Sequence, residues 1–420
     1  MVFERPRGVR DFTPENMRRH LAVSDSLEKT FASFGYDMVR TPTFEFLSLF
    51  EAKSGEDIKE HLYVFEDKGG RSICLRPEAT ASVARMYGSE LRTHPKPLRL
   101  YYIEPMFRYE QPQKGRYREF WQAGVELIGV KNPYSDAEVI LLAYESLRNL
   151  GLTGKLRISH IGVLRGLLSE AGFDETRQNK VVHALDKGDL KSVEEMIVDK
   201  VFSEVIKLTG GIEVCEKLES IIPDNLKSLV NEFTKTIQVL EKTGVEYVVD
   251  FSMARGLDYY TGIIFDIKAE GLGAQNQICG GGRYDNLIGL FEGPETPAIG
   301  FAFGIDRLVE ALTEKGYDFE MKCCDVFVLS VGDSTREGAF STAADLRRKC
   351  PGLEVRFDIS GSKIGKALQQ ASDLKARYAV IFGEKEFSQG NVVVKDLDSE
   401  EQETISLDDL TKYLSDRAPD

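Results

Sequence analysis

Residues 98–129 read LRLYYIEPMFRYEQPQKGRYREFWQAGVELIG, and this stretch decides the fold. Two aromatic-rich runs, 98–110 and 117–129, flank a short segment holding Pro112, Lys114, Gly115 and Arg116. That pattern predicts two antiparallel strands joined by an exposed loop. Side chains alternate along a strand. Arg108 and Glu110 therefore share one face of the first strand, and Gln122, Gly124 and Glu126 share one face of the second. Arg108, Lys114, Arg116 and Arg118 against Glu110 give this segment +3 in a chain of net charge −14. A cationic island in an acidic chain calls for an anionic partner. Taken alone, the stretch leaves a charge-solubilised edge hairpin and a phosphate site equally open.

The chain has 420 residues, 42% hydrophobic and 29% charged, which is too long for one core and predicts two or three domains. No apolar run is long enough for a membrane span, and the segment Met1–Arg7 has no signal-peptide core, so no membrane role is expected. Cys74, Cys215, Cys279, Cys323, Cys324 and Cys350 form neither a CxxC pair nor a disulfide framework. They are expected to be free thiols in a reducing, cytoplasmic setting. A pI near 5.1 argues against a nucleic-acid coat and leaves room for a local basic docking patch.

Residues 13–35 read as a helix opened by Thr13-Pro14, striped by Met17, Leu21, Leu27, Phe31 and Phe34, and stopped at Gly35. Tyr36–Pro42 is extended. A hairpin is expected over 61–76, turning at Asp67–Gly70. Arg76-Pro77-Glu78-Ala79-Thr80 then leads into a helix ending near Met86. There Glu78 and Thr80 can cap the helix or accept from an ammonium group. Ser135-Asp136-Ala137-Glu138 reads as a capping box before a helix carrying Ile140, Leu141, Tyr144 and Leu147, which stops at Gly151. Residues 160–245 read as helices, with a stripe at Leu226, Leu229, Val230, Phe233, Ile237 and Leu240. This looks like an inserted subdomain with little chemistry of its own.

Strand character returns at Tyr247–Phe251. RGLDYYTG follows at 255–262, then GGGRYD at 280–285. Consecutive glycines let a ligand or another backbone come close, although a glycine run is a weak signal alone. Ala298–Gly304 is a strand with small residues on one face that runs into a helix bearing Arg307. An arginine there suits phosphate or is a surface charge. Thr313–Cys324 reads as a polar linker. Beyond it, strands at Val326–Leu329, Leu353–Phe357, Tyr378–Phe382 and Val392–Val394 alternate with helices at Thr335–Lys349, Lys363–Lys375 and Leu407–Leu414, and Asp396–Glu403 is expected as a solvated turn. His20, His61, His94, His160 and His183 are scattered, and no phosphate-binding or dinucleotide glycine motif is present. Arginines with acids, aromatics and glycines on antiparallel strands suit chemistry run by positioning and charge stabilisation, such as attack on a phosphate.

These motifs together resemble a known family. Arg108–Glu126 resembles motif 2 of class II aminoacyl-tRNA synthetases, Gly300–Leu308 resembles motif 3, and the helix and strand ending at Pro42 resemble motif 1. RGLDYYTG and GGGRYD resemble the two peptides that mark the histidyl-tRNA synthetase family. The resemblance spans nearly the whole chain. It implies an α+β catalytic domain with a six-stranded antiparallel sheet (residues 1–158 and 246–312), a helical insertion (159–245), a linker (313–324) and a C-terminal α/β anticodon-binding domain (325–420). It also implies ATP-dependent ligation of L-histidine to tRNA(His) through a histidyl-adenylate, Mg2+ bound with ATP, no prosthetic group, no metal fixed by protein side chains, and a homodimer. In that light Arg108 and Arg255 are the catalytic arginines. Histidine would be held by Glu78, Ala79, Thr80, Arg108, Gln122, Glu126, Arg255, Tyr259 and Tyr260. ATP would be held by Arg108, Glu110, Arg116 and Arg307, and the tRNA acceptor end by Gln113 and Lys114. Asp266 stands where many members have glutamate, which implies a shifted hydrogen bond. The alternative is a non-catalytic, synthetase-like regulatory subunit of ATP phosphoribosyltransferase, which shares the core but lacks the anticodon domain.

Overall fold

The opening helix forms where its end signals place it. The computed structural model describes residues 3–54, 56–111, 117–197, 199–255, 259–269, 276–291, 293–319 and 324–417. Helix α1 (Pro14–Ser33) starts with Thr13 accepting from the Asn16 amide and Pro14 in the first turn. Gly35 follows it at φ +77°, a left-handed conformation suited to glycine. Val23, Leu27 and Phe31 are buried, but Leu21, expected in the apolar stripe, is 45% exposed. Then come β1 (Asp37–Met38), β2 (Phe44–Phe46), α2 (Leu47–Ser54), β3 (Val64–Glu66), β4 (Ser72–Leu75) and α3 (Thr80–Met86). The opening hairpin is β5 (Leu98–Phe107) and β6 (Glu119–Ile128). Arg108 therefore lies one residue past β5, though its amide still donates to the Arg118 carbonyl at 2.9 Å.

Helix α4 (Pro133–Asn149) corrects one expectation. Its N-cap is Asn132, whose side chain accepts from Tyr134 and Ser135, while Ser135 answers from the third helical position. Ser135 is thus the far half of the capping box. After β7 (Gly154–His160), the chain forms α5 (Ile161–Glu170), α6 (Glu175–Asp186), α7 (Leu190–Met196), α8 (Lys200–Val205), β8 (Thr209–Gly210), α9 (Glu213–Ile221) and α10 (Lys227–Glu241). His160 caps α5 through Nδ1, which accepts from the Val163 amide, and burial pushes its pKa down to about 4. Strands β9 (Tyr247–Asp250), β10 (Ile263–Ala269), β11 (Gln277–Arg283) and β12 (Ala298–Gly304) and helix α11 (Ile305–Glu314) complete the first unit. Thr313 and Glu314, read as linker, are the last turn of α11.

The main sheet runs β1-β5-β6-β12-β11-β10-β7-β9-β8. Its centre, β5-β6-β12-β11-β10-β7, is antiparallel throughout and supplies the expected six strands. β1 joins β5 and β9 joins β7 in parallel, which makes the whole sheet mixed. The glycines at 280–282 lie inside β11, not in a loop. A separate three-stranded sheet runs β2-β4-β3.

The chain divides into two units, Met1–Tyr317 and Asp318–Asp420. In the second, β13 (Val326–Ser330), α12 (Arg336–Lys349), β14 (Val355–Phe357), α13 (Ile364–Asp373), β15 (Tyr378–Phe382), α14 (Glu384–Phe387), β16 (Asn391–Asp396), β17 (Gln402–Ser406) and α15 (Leu407–Ser415) form a sheet ordered β14-β13-β15-β16-β17. Alternation sorts its two faces. Val326 and Val328 meet Ala339, Ala343 and Leu346 of α12 and Leu410 and Leu414 of α15. Phe327 and Leu329 meet Ala367 and Ala371 of α13. Cys324, placed in the linker by sequence, belongs to this second core. Gln402 and Glu403, expected in a turn, instead pair with β16.

Arg283 of GGGRYD fastens β11 to the start of α4. It is 2% exposed, pairs with Asp136, and donates to Asp285 at 2.9 Å and to the Ser135 hydroxyl at 3.0 Å. Arg283→Met takes the paired cation from Asp136, while Asp285 keeps Lys131 at 3.0 Å. Urea unfolding is expected to show a loss of about 3 kcal/mol.

Candidate active site

Strand register builds the floor of a cavity. Paired residues of antiparallel strands point to the same face, so each row across the sheet can be read directly. One row is Leu100, Glu126, Gly300, Gly282 and Ile264. The next is Tyr102, Gly124, Ala302, Gly280 and Asp266. Two glycines in these rows make room for charge. A β-carbon on Gly300 would collide with the Glu126 carboxylate, and one on Gly280 with the Arg255 guanidinium. Above this floor lies a cavity of 460 Å³, lined by residues from β5, β6, α6, β11, β12 and α11.

One end is built around a buried carboxylate. Glu126 is 1% exposed and accepts from the Tyr284 hydroxyl. The Tyr259 and Tyr260 rings meet at 4.7 Å, tilted by 41°, and Tyr259 meets Tyr284 edge-on at 5.9 Å. Burial pushes the Tyr102, Tyr259 and Tyr284 hydroxyls well above the usual phenol range, and nearby carboxylates push them further, so all three stay protonated. Gln122 Oε1 is buried in the wall without a hydrogen-bond partner. Glu78 closes the start of α3 and also faces the cavity. Its oxygens accept from the Thr80 and Ala81 amides at 2.8 and 3.1 Å, and it lines the cavity. Thr80 lines the cavity too, while Ala79 is fully buried and lies outside the lining.

Arg255 is half-buried. Its guanidinium lies 5.9 Å from the Tyr260 ring, and its Nε is buried and unpartnered. Burial opposes its charge, but Tyr260 and Asp266 outweigh that and hold its pKa above the usual value. Asp266 is itself taken by Arg157, at 3.0 and 2.6 Å.

The other end carries Arg108, Glu110, Phe120 and Arg307. Arg108 donates to the Pro77 carbonyl at 2.9 Å and lies 5.2 Å from the Phe120 ring. Arg307 donates to the Gln277 carbonyl. Asp306, beside it, accepts from the Trp121 amide at 3.0 Å and pairs with Arg10, which covers the Tyr117 ring at 4.0 Å. Asp186 reaches the cavity from α6, so the helical stretch does contribute to the site. Sequence reading assigned no role to Tyr284, Asp306, Tyr117, Asp186 or Tyr102. For Tyr284 and Asp306 a signal was present, since each adjoins a residue singled out in a motif. Gln113, Lys114 and Arg116, with 256–258 of RGLDYYTG, lie outside the described residues.

A cavity with buried acceptors at one end, a charged guanidinium over its middle, and arginines with an aromatic ring at the other can seat an amino acid beside a nucleotide.

Comparison with known proteins agrees. The Histidyl-tRNA synthetase family model matches residues 8–308, and the Anticodon binding domain model matches 325–417. A histidine--tRNA ligase of Archaeoglobus fulgidus is 43% identical, covering 99% of this chain and 100% of the relative. An apo histidyl-tRNA synthetase structure from S. aureus aligns with a TM-score of 0.73 at 30% identity, over 98% of this chain and 99% of that one. A structure from Bacillus halodurans, described as an ATP phosphoribosyltransferase regulatory subunit/histidyl-tRNA synthetase, aligns with a TM-score of 0.78 at 29% identity, over 91% and 99%. With a family model spanning most of the catalytic fold and a relative this similar end to end, the chain belongs to the histidyl-tRNA synthetase family.

Proposed function

We propose that the protein ligates L-histidine to tRNA(His) in two steps within this cavity. A histidine carboxylate oxygen attacks the α-phosphorus of ATP, the bond to the bridging oxygen breaks, and pyrophosphate leaves. A hydroxyl of the 3′-terminal ribose of tRNA then attacks the activated carbonyl. AMP leaves, and the hydroxyl proton is lost to solvent or phosphate. The observation that carries this reading is the pairing of Glu126, held by Tyr284, with Arg255 over Gly280 on one sheet face.

The residue roles are part of the proposal. Glu126 with Tyr259 and Tyr260 clamps the imidazole, whose N–H finds a carboxylate acceptor. A site built to hydrogen-bond a polar side chain rejects apolar analogues strongly. Glu78, Thr80 and Gln122 accept from the α-ammonium group, and the unpartnered Gln122 Oε1 supports that role. Arg255 bridges the carboxylate and the α-phosphate. Arg108 holds the α-phosphate, Glu110 addresses the adenine, and Arg307 and Arg116 address the distal phosphates. Mg2+ enters bound to ATP and offsets phosphate charge. Gln113 and Lys114 approach the acceptor end. Residues 159–245 act as the helical insertion and 325–420 as the anticodon-binding domain. The regulatory-subunit reading has less support, because this chain carries an anticodon-binding match beside the match to the synthetase family, and a histidine--tRNA ligase resembles it end to end.

We also propose a homodimer in the cytoplasm. On one face of the three-stranded sheet, Phe44, Phe46 and Phe65 are 56%, 51% and 44% exposed in the rows of Leu75 and Ile73, an apolar face suited to a second copy. The described cysteines are free thiols, and among the described residues no helix is long and apolar enough to cross a membrane.

Purified protein is expected to catalyse histidine-dependent exchange between ATP and pyrophosphate. Folded protein without exchange removes the enzyme reading. Arg255→Ala is expected to lower that exchange by about 10²- to 10³-fold with little change in thermal unfolding. Unchanged exchange takes Arg255 out of the site. The double substitution Phe44→Asp and Phe46→Asp is expected to halve the mass seen by analytical ultracentrifugation, and an unchanged mass places the interface elsewhere.

A further inference from the structure

Arg76 and Glu104 form an ion pair outside the cavity lining. Arg76 is 1% exposed and Glu104 4%, with Nη1 and Oε2 2.7 Å apart. The same guanidinium donates to the Thr41 carbonyl at 2.7 Å, the Thr41 hydroxyl at 3.1 Å, the Pro42 carbonyl at 3.3 Å and the Pro105 carbonyl at 3.0 Å. Thr41 in turn donates its amide and hydroxyl to Glu104, both at 3.3 Å. Exposed Arg40 also approaches Glu104, at 3.7 Å. The Arg76 backbone is equally engaged. Its amide donates to Thr43, and its carbonyl accepts from Phe107 at 2.9 Å.

The chain neighbours of these groups are the substrate-facing residues. Phe107 precedes Arg108, and the Pro77 carbonyl accepts from Arg108 Nε. Pro77 precedes Glu78, whose carboxylate closes the turn to Thr80. One guanidinium therefore fixes both backbone runs, the one carrying the phosphate arginine and the one carrying the ammonium acceptors.

Stability is a poor reason for this arrangement. Desolvation is the largest influence on both partners, lowering the pKa of Arg76 and raising that of Glu104. Buried ion pairs can often be replaced by apolar groups of similar volume without loss of stability. What a planar fork offers is direction, since it bonds several fixed acceptors at once.

We propose that Arg76, oriented by Glu104 and Thr41, is a positioning residue for adenylation, setting the separation between Arg108 and the Glu78–Thr80 turn. This rests on the function proposed above. The first test is the double variant Arg76→Met with Glu104→Met, which removes both charges and strands neither. It is expected to fold with an unfolding midpoint near the parent's, while kcat/KM for ATP–pyrophosphate exchange falls by about 10- to 100-fold and KM rises for both histidine and ATP. A folded double variant with the parent's kinetics overturns the inference. Arg76→Lys keeps the charge opposite Glu104 but loses the fork. It is expected to stay folded with both KM values raised, and parental KM values overturn the inference as well. If neither variant folds, the pair belongs to the fold alone and the inference is lost. The parent is assayed alongside. A parent without exchange removes the functional reading, whereas an active parent with unaffected variants removes only the role of Arg76.

Discussion

A sheet face without β-carbons is the constraint on which the rest of the structure depends. Glu126 and Arg255 lie flat on the strands because Gly300 and Gly280 leave the space they occupy. Burying a carboxylate away from water costs several kcal/mol unless it is hydrogen-bonded, on the order of the whole stability margin of a domain. Tyr284 meets that need with a hydroxyl that burial keeps protonated. The floor thus has an acceptor fixed in direction at one end and a cation above its middle. Buried polar atoms are normally paired, and Gln122 Oε1 and Arg255 Nε in the cavity wall are buried without a partner, which suits the proposed polar ligand.

Arginines divide by where they are placed. Arg283 and Arg76 are nearly inaccessible and surrounded by carboxylates and carbonyls, and they tie strands to helices and loops. Arg108 and Arg255 line the cavity and are held through contacts that leave charge available to a ligand. A guanidinium saturated by protein acceptors serves shape, and one with spare donors serves an anion. Of these four, only Arg283 lies in a strand of the six-stranded centre; Arg108 follows β5 by one residue, and Arg76 and Arg255 lie between strands.

Much of this was legible in the sequence where the signal is local. Thr13-Pro14 and Gly35 bounded α1, and apolar period and turn residues located the opening hairpin and most C-terminal strands and helices. The misses also have physical causes. Ser135 has the chemistry of a cap, but Asn132, followed by proline, sits just upstream and takes that position. Leu21 fitted a helical stripe but faces solvent, since tertiary packing decides which arc of a helix is covered. Gln402 and Glu403 look like turn residues and become a strand because β16 offers an edge to pair with.

The sequence by itself determined the local elements, the faces on which Gln122, Gly124 and Glu126 lie, and the motifs that carry the family. Those follow from the two-residue period of strands, from Pro and Gly backbone limits, and from residue chemistry. Only the tertiary structure decided that Glu126 stands opposite Gly300, that Arg255 rests over Gly280, that Tyr284 holds the carboxylate, and that Asp186 arrives from α6. Alternation fixes which face a side chain takes but not which strand lies beside it. That choice is set by long-range register, where a shift of one residue would turn every side chain to the other face.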